Sequence, residues 1–113
     1  MADWKEALEK ELQMAADARA RGNEGQARVC ARRAAGVVIR EYFLRRGVLS
    51  RISSAFDLLQ AFMDFPEIPE EARRAATTLT LRVNEQFKFP VNADLVEEAR
   101  VLCKSLLPGE FEK

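Results

Sequence analysis

The chain has 113 residues, with 18 basic and 18 acidic side chains that cancel formally, two cysteines and no histidine. Without histidine it lacks the commonest general base and metal ligand of neutral-pH chemistry, which excludes Ser-His and Cys-His hydrolases and His-based zinc sites. One domain over residues 1–113 is expected, since a chain of this length buries roughly two thirds of its unfolded surface and needs no disulfide or metal to hold it.

Asp3-Trp4-Lys5-Glu6 reads as a capping box that opens a helix running to about Arg21, where Gly22 stops it. Leu8, Leu12, Ala15 or Ala16, and Arg19 follow its 3.6-residue period, and no proline or β-branched residue interrupts it. Asn23-Glu24-Gly25-Gln26 is a second capping box. It opens the longest helix, predicted to end near Arg46 with Gly47 in the left-handed position.

On a helical wheel this second helix has an apolar arc wider than half its circumference, made by Ala27, Cys30, Ala31, Ala34, Ala35, Val37, Val38, Ile39 and Tyr42. Such an arc suits a central helix with several neighbours. The same helix carries Arg28, Arg32, Arg33, Arg40, Arg45 and Arg46. Arg33, Gly36 and Arg40 share a narrow face with Val29, and Arg28 with Arg32 forms a second basic patch. Their aliphatic stems can pack while the guanidinium groups reach solvent, carboxylates or a ligand.

Ser53-Ser54-Ala55-Phe56-Asp57 begins a short third helix carrying Phe56, Leu59, Phe62 and Met63, and Phe65-Pro66-Glu67-Ile68-Pro69 is a tight connection. Pro69 suits the first turn of a fourth helix, with Glu70 and Glu71 at its positive end. Its apolar positions are Ala72, Ala75 or Ala76, Leu79, Val83 and Phe87. A fifth helix presents Leu95, Ala99, Leu102 and Leu106, and Pro108-Gly109 closes it. With no repeat and no convincing strand, the expected fold is all-α, an antiparallel up-and-down bundle of four to five helices.

Cys30 and Cys103 lie inside predicted helices and read as small apolar fillers in a reducing compartment. No apolar run approaches the roughly 20 residues of a membrane span and no signal peptide is evident, so a cytoplasmic protein is expected. There is no Gly-rich phosphate loop, Walker pattern or distinctive acidic pair, and neither a metal nor a cofactor is expected. Charge is nonetheless segregated. Residues 1–18 carry two basic and five acidic groups, residues 19–51 nine and two, and residues 52–113 seven and eleven. The basic middle suits an anionic ligand, or ion pairing with the acidic flanks inside the fold.

Three stretches together resemble the HEPN family (higher eukaryotes and prokaryotes nucleotide-binding) of small helical bundles. GQARVCARRAAGVVIREYFLRRG is similar to its long Ala-rich helix, SAFDLLQAF to the helix that follows, and LTLRVNEQFKFPVNADLVEEARVL to a later helix with its aromatic-basic-aromatic-Pro exit. The resemblance implies an interaction with nucleotide or RNA, a dimer, and in many members ribonuclease activity or a nucleotidyltransferase-type partner in a toxin-antitoxin pair. Nuclease members carry arginine, four to six residues, then histidine. If Arg82 is that arginine, this chain has Phe87, Lys88 and Phe89 where the histidine would fall.

Metal-free RNA cleavage needs a group that exchanges protons near neutral pH, and lysine is a poor substitute. The reading is therefore a non-catalytic binder of nucleotide or RNA, with Arg82, Lys88, Arg33 and Arg40 as the candidate phosphate-binding residues and no catalytic residue. The alternative is a helical protein-interaction module that dimerises on the small-residue face of its first two helices.

Overall fold

The first helix starts where its capping box places it. In a computed structural model, which describes residues 3–48, 51–81 and 93–107, the Asp3 side chain accepts from the backbone amides of Lys5 and Glu6, and α1 runs Trp4–Ala20. Leu8, Leu12, Ala15 and Ala18 form its buried stripe. Gly22, at φ 78°, turns the chain so that the Asn23 amide bonds back to the Ala18 carbonyl at 2.8 Å. A left-handed residue is needed there, and glycine adopts it without a steric penalty.

Asn23 caps α2 (Glu24–Arg45) by accepting from the Gln26 amide. The exit repeats the first: Gly47 stands at φ 74° and the Val48 amide returns to the Phe43 carbonyl at 2.9 Å. Ser54 caps α3 (Ala55–Met63), α4 spans Glu70–Leu79, and Asp94 caps α5 (Leu95–Leu106) through the amides of Val96 and Glu97. The fold is all-helical, with no strand among the described residues.

The wide apolar arc of α2 does what its width predicts. Ten of its residues are buried, and α1, α3 and α5 all pack against it, while α4 packs on α3 and α5. Phe62, Leu8, Ile39, Leu58, Leu59, Leu79, Leu95 and Leu102 are the largest fully enclosed side chains of one continuous core. Cys30 and Cys103 are free thiols within it, and burial pushes the Cys103 thiol up to about 11.

Helix directions follow from contacts at their ends. Arg19, near the end of α1, reaches Glu24 at the start of α2, while the Arg45 guanidinium at the end of α2 lies over the Trp4 ring, so the two helices are antiparallel. Asp94 also bonds Arg19, and Leu106 and Leu107 finish beside Tyr42, so α5 runs in the same sense as α2. α4 begins with Arg73 donating to the Met63 carbonyl at the end of α3. It ends with the Leu79 carbonyl bonded by Arg32 in the first half of α2, the half beside which α5 begins, so it runs against α3 and α5. The expected alternation therefore holds for α1–α2, α3–α4 and α4–α5.

Between α2 and α3 the chain doubles back instead. α3 begins beside Gly36, where an added Cβ would stand 3.3 Å from the Ala55 Cβ, and it ends with Phe62 edge-on to Tyr42 at 5.9 Å. Gly36 is what lets the start of α3 approach α2 so closely. The Arg40 guanidinium holds the returning segment, donating through Nη2 to the Ile52 and Ser53 carbonyls at 3.2 and 2.9 Å.

The fourth helix is shorter than its apolar period suggests. Thr80 caps it just after Leu79, so the continuation toward Val83 and Phe87 is not followed; those two residues lie outside the described part. Two causes converge. The Thr77 and Thr78 hydroxyls donate back to the carbonyls of Arg73 and Arg74, and Thr80 donates to Thr77, local bonds that compete with helix continuation. Arg32, reaching across from α2, donates through Nε to the Leu79 carbonyl at 2.7 Å and through Nη2 to that of Leu81.

Candidate functional site

Following each guanidinium of α2 shows how the basic helix is used. Arg32 and Arg40 bracket passing backbone, as described above, and Arg45 donates through Nε to Glu41 at 2.9 Å. Arg33 is different. Its side chain is half exposed, and its nearest carboxylate oxygen among the described residues is Glu11 Oε1 at 4.0 Å, beyond hydrogen-bonding range. That Glu11 oxygen is buried without a hydrogen-bond partner among the described residues.

Of the four phosphate-binding candidates, Arg33 and Arg40 are therefore placed on one face of α2, two turns apart, with the start of α3 packed on Gly36 between them. That separation is about 10 Å along the helix axis. Arg40 is half committed to the α2–α3 segment, and Arg33 is open to solvent. Arg82 and Lys88 lie outside the described residues, as do Phe87 and Phe89. Among the described residues no three Cys, Asp or Glu side chains gather as a metal site would require.

At the far end of α2 the structure assembles a place that composition and period do not mark. Tyr42, Arg45 and Arg46 meet Leu106 and Leu107, where α5 ends, around an open groove of about 550 Å³. Tyr42 is only 5 % exposed, packed edge-on against Phe62 and Phe65 and tilted against Phe43. Its hydroxyl is buried and has no hydrogen-bond partner among the described residues. An unanswered buried hydroxyl costs about 1–3 kcal/mol. The Arg46 guanidinium lies over the Tyr42 ring at 4.6 Å from the centroid and makes no ion pair among the described residues. The sequence signal for this groove was a tyrosine inside an otherwise aliphatic arc, next to a terminal Arg-Arg pair.

The opposite end of the bundle holds the strongest charge constellation. Arg19 grips Glu24 with two bonds, Nε at 3.0 Å and Nη2 at 2.7 Å, and reaches both Asp94 oxygens at 3.1 and 3.3 Å. These contacts raise the affinity of Arg19 for its proton. Partial burial pushes the Asp94 carboxyl up, but the bonds from Arg19 and the α5 amides outweigh this and hold it below its ordinary range. Nearby Glu98 is pushed the other way, first by burial and then by the charges of Glu97 and Asp94. Arg19 thus ties together the end of α1 and the starts of α2 and α5, a structural use of charge.

No family model matches the chain, and neither does any curated protein or solved structure. No helix among the described residues is long and apolar enough to cross a membrane.

Proposed function

We propose that this chain is a HEPN-like bundle that holds nucleotide or RNA through phosphate contacts without cleaving it, alongside a nucleotidyltransferase-type partner in a toxin-antitoxin-like pair. The observation that carries the binding half is the exposed Arg33 guanidinium of α2, which has no carboxylate in hydrogen-bonding range among the described residues, in a segment with nine arginines and two acidic residues. Arginine suits phosphate because its planar fork of donors matches two oxygens at once. The non-catalytic half rests on the chain having no histidine, and with it no side chain that ordinarily exchanges protons at neutral pH. The partner rests on the sequence resemblance alone.

Fluorescence polarisation with short RNAs and nucleotides tests the binding half. Binding at low salt should weaken with a log–log slope of roughly −0.7 for each phosphate contact, and Arg33→Glu should reduce it. Silence at low salt overturns the reading. Metal-free RNA turnover that disappears in Arg82→Ala would overturn the non-catalytic half. For the homodimer alternative, Ala15, Ala18, Ala27, Ala31, Ala34 and Ala35 of the small-residue face are buried inside the chain, while Ala7, Ala16 and Ala20 of α1 stay exposed. A dimer on that face would have to use the exposed residues.

A further inference from the structure

We propose that the groove between the ends of α2 and α5 binds a small amphipathic anion, a phosphate ester or carboxylate carried on a flat ring. The inference is independent of RNA binding on the Arg33 face of α2, since none of its residues lies on that face.

The groove combines three features that one ligand chemistry answers together. The first is Tyr42, which lines the groove and whose hydroxyl is closed off from solvent beneath Arg46 with no partner among the described residues. Phenylalanine would fill the aromatic cluster of Phe43, Phe62 and Phe65 equally well, so packing gives no reason for the oxygen. The second is Arg46, which covers the Tyr42 ring and meets no carboxylate among the described residues, with Arg45 beside it. The third is the apolar wall of Leu106 and Leu107, whose side chains are almost wholly withdrawn from solvent yet border the groove.

Two arginines repel a metal cation. A purely apolar ligand would leave the Tyr42 hydroxyl and the Arg46 guanidinium unanswered, and a bare inorganic anion would leave the leucine wall unused. A ring bearing an anionic group meets all three, with the anion held by Arg46 and brought to the Tyr42 hydroxyl as that guanidinium moves off the ring, and the ring against the leucines. The volume, about 550 Å³, falls within the usual span of small-ligand sites. Arginines at a helix C-terminus also complement its partial negative charge. That role accounts for their charge and leaves the hydroxyl unexplained.

Amide NMR shifts of the full chain, titrated with phenyl phosphate, benzoate and AMP and with inorganic phosphate as control, test the proposal. At least one ring-bearing anion should shift the amides of Tyr42, Arg46, Leu106 and Leu107 saturably, and which of the three binds most tightly distinguishes carboxylate, simple aryl phosphate and nucleotide sources. Tyr42→Phe should weaken that binding roughly three- to tenfold without lowering the melting temperature, the loss of one ligand hydrogen bond. Arg46→Gln should weaken it at least as much, and Arg33→Glu should leave it unchanged. The proposal is overturned if no probe saturates at millimolar concentration, if inorganic phosphate does as well as phenyl phosphate, or if Tyr42→Phe binds as the parent does. Phenyl phosphate binding with silent RNA polarisation would sustain this site while removing the RNA reading.

Discussion

At the start of α2, Arg19 is answered twice over, by Glu24 and by Asp94, and the carboxylate of Asp94 also satisfies two α5 amides. At the end of the same helix, Arg46 rests on an aromatic face and a buried hydroxyl goes without a bond among the described residues. Both ends sit where helices converge, and both are rich in arginine. The contrast separates charge that builds the fold from polar groups the fold does not use, and only the second kind is open to a ligand.

The largest expected effect tests whether the far end is a rigid platform. Phe62→Ala removes a fully buried ring from under Tyr42 and should cost about 3–5 kcal/mol, read as a lower urea midpoint. A loss below 1 kcal/mol would mean the aromatic cluster is loose. Next, Asp94→Ala removes a cap and the Arg19 bridge, and about 1–2 kcal/mol should be lost. Because its folded carboxyl lies below the ordinary range, the charge of Asp94 stabilises above the unfolded pKa, and that contribution disappears as pH falls through the folded pKa. Asp94→Asn, which keeps a capping oxygen, should therefore fall short of the parent at pH 7 and converge with it in acid.

Tyr42→Phe should move stability the other way, with a gain of about 1 kcal/mol, the low end of the cost of an unanswered hydroxyl, since a buried polar atom without a partner among the described residues is removed. A clear loss would show that the hydroxyl serves the fold, and the contrast between the two ends would collapse. Smallest of all, Arg33→Ala should change stability by less than about 0.5 kcal/mol, as its half-exposed side chain and the 4.0 Å separation from Glu11 imply, while lowering any RNA polarisation signal.

Much of the scaffold was legible from local chemistry. Asp3, Asn23 and Ser54 announce helix starts, Gly22 and Gly47 announce stops, and the breadth of the apolar arc marks α2 as central. These signals act within a few residues of themselves, which is why sequence carries them. The early end of α4 was hidden because part of its cause is Arg32, 47 positions away from the carbonyl it takes. The return of the chain toward Gly36 was hidden for the same reason, being fixed by a close approach between helices and by Arg40. Of the candidate site, sequence located the basic helix but not which arginines stay open. Arg33 and Arg40 look equivalent on a wheel, and only the passing carbonyls of Ile52 and Ser53 distinguish them.

The two enclosed thiols make the protein its own clock for opening. Cys30 sits on the central helix and Cys103 on the last, both shielded, and the latter is disinclined to ionise. An alkylating reagent can reach either sulfur only when its helix lifts from the core. Their separate modification rates would thus time the departure of α5 against the rupture of the whole bundle, with no label added.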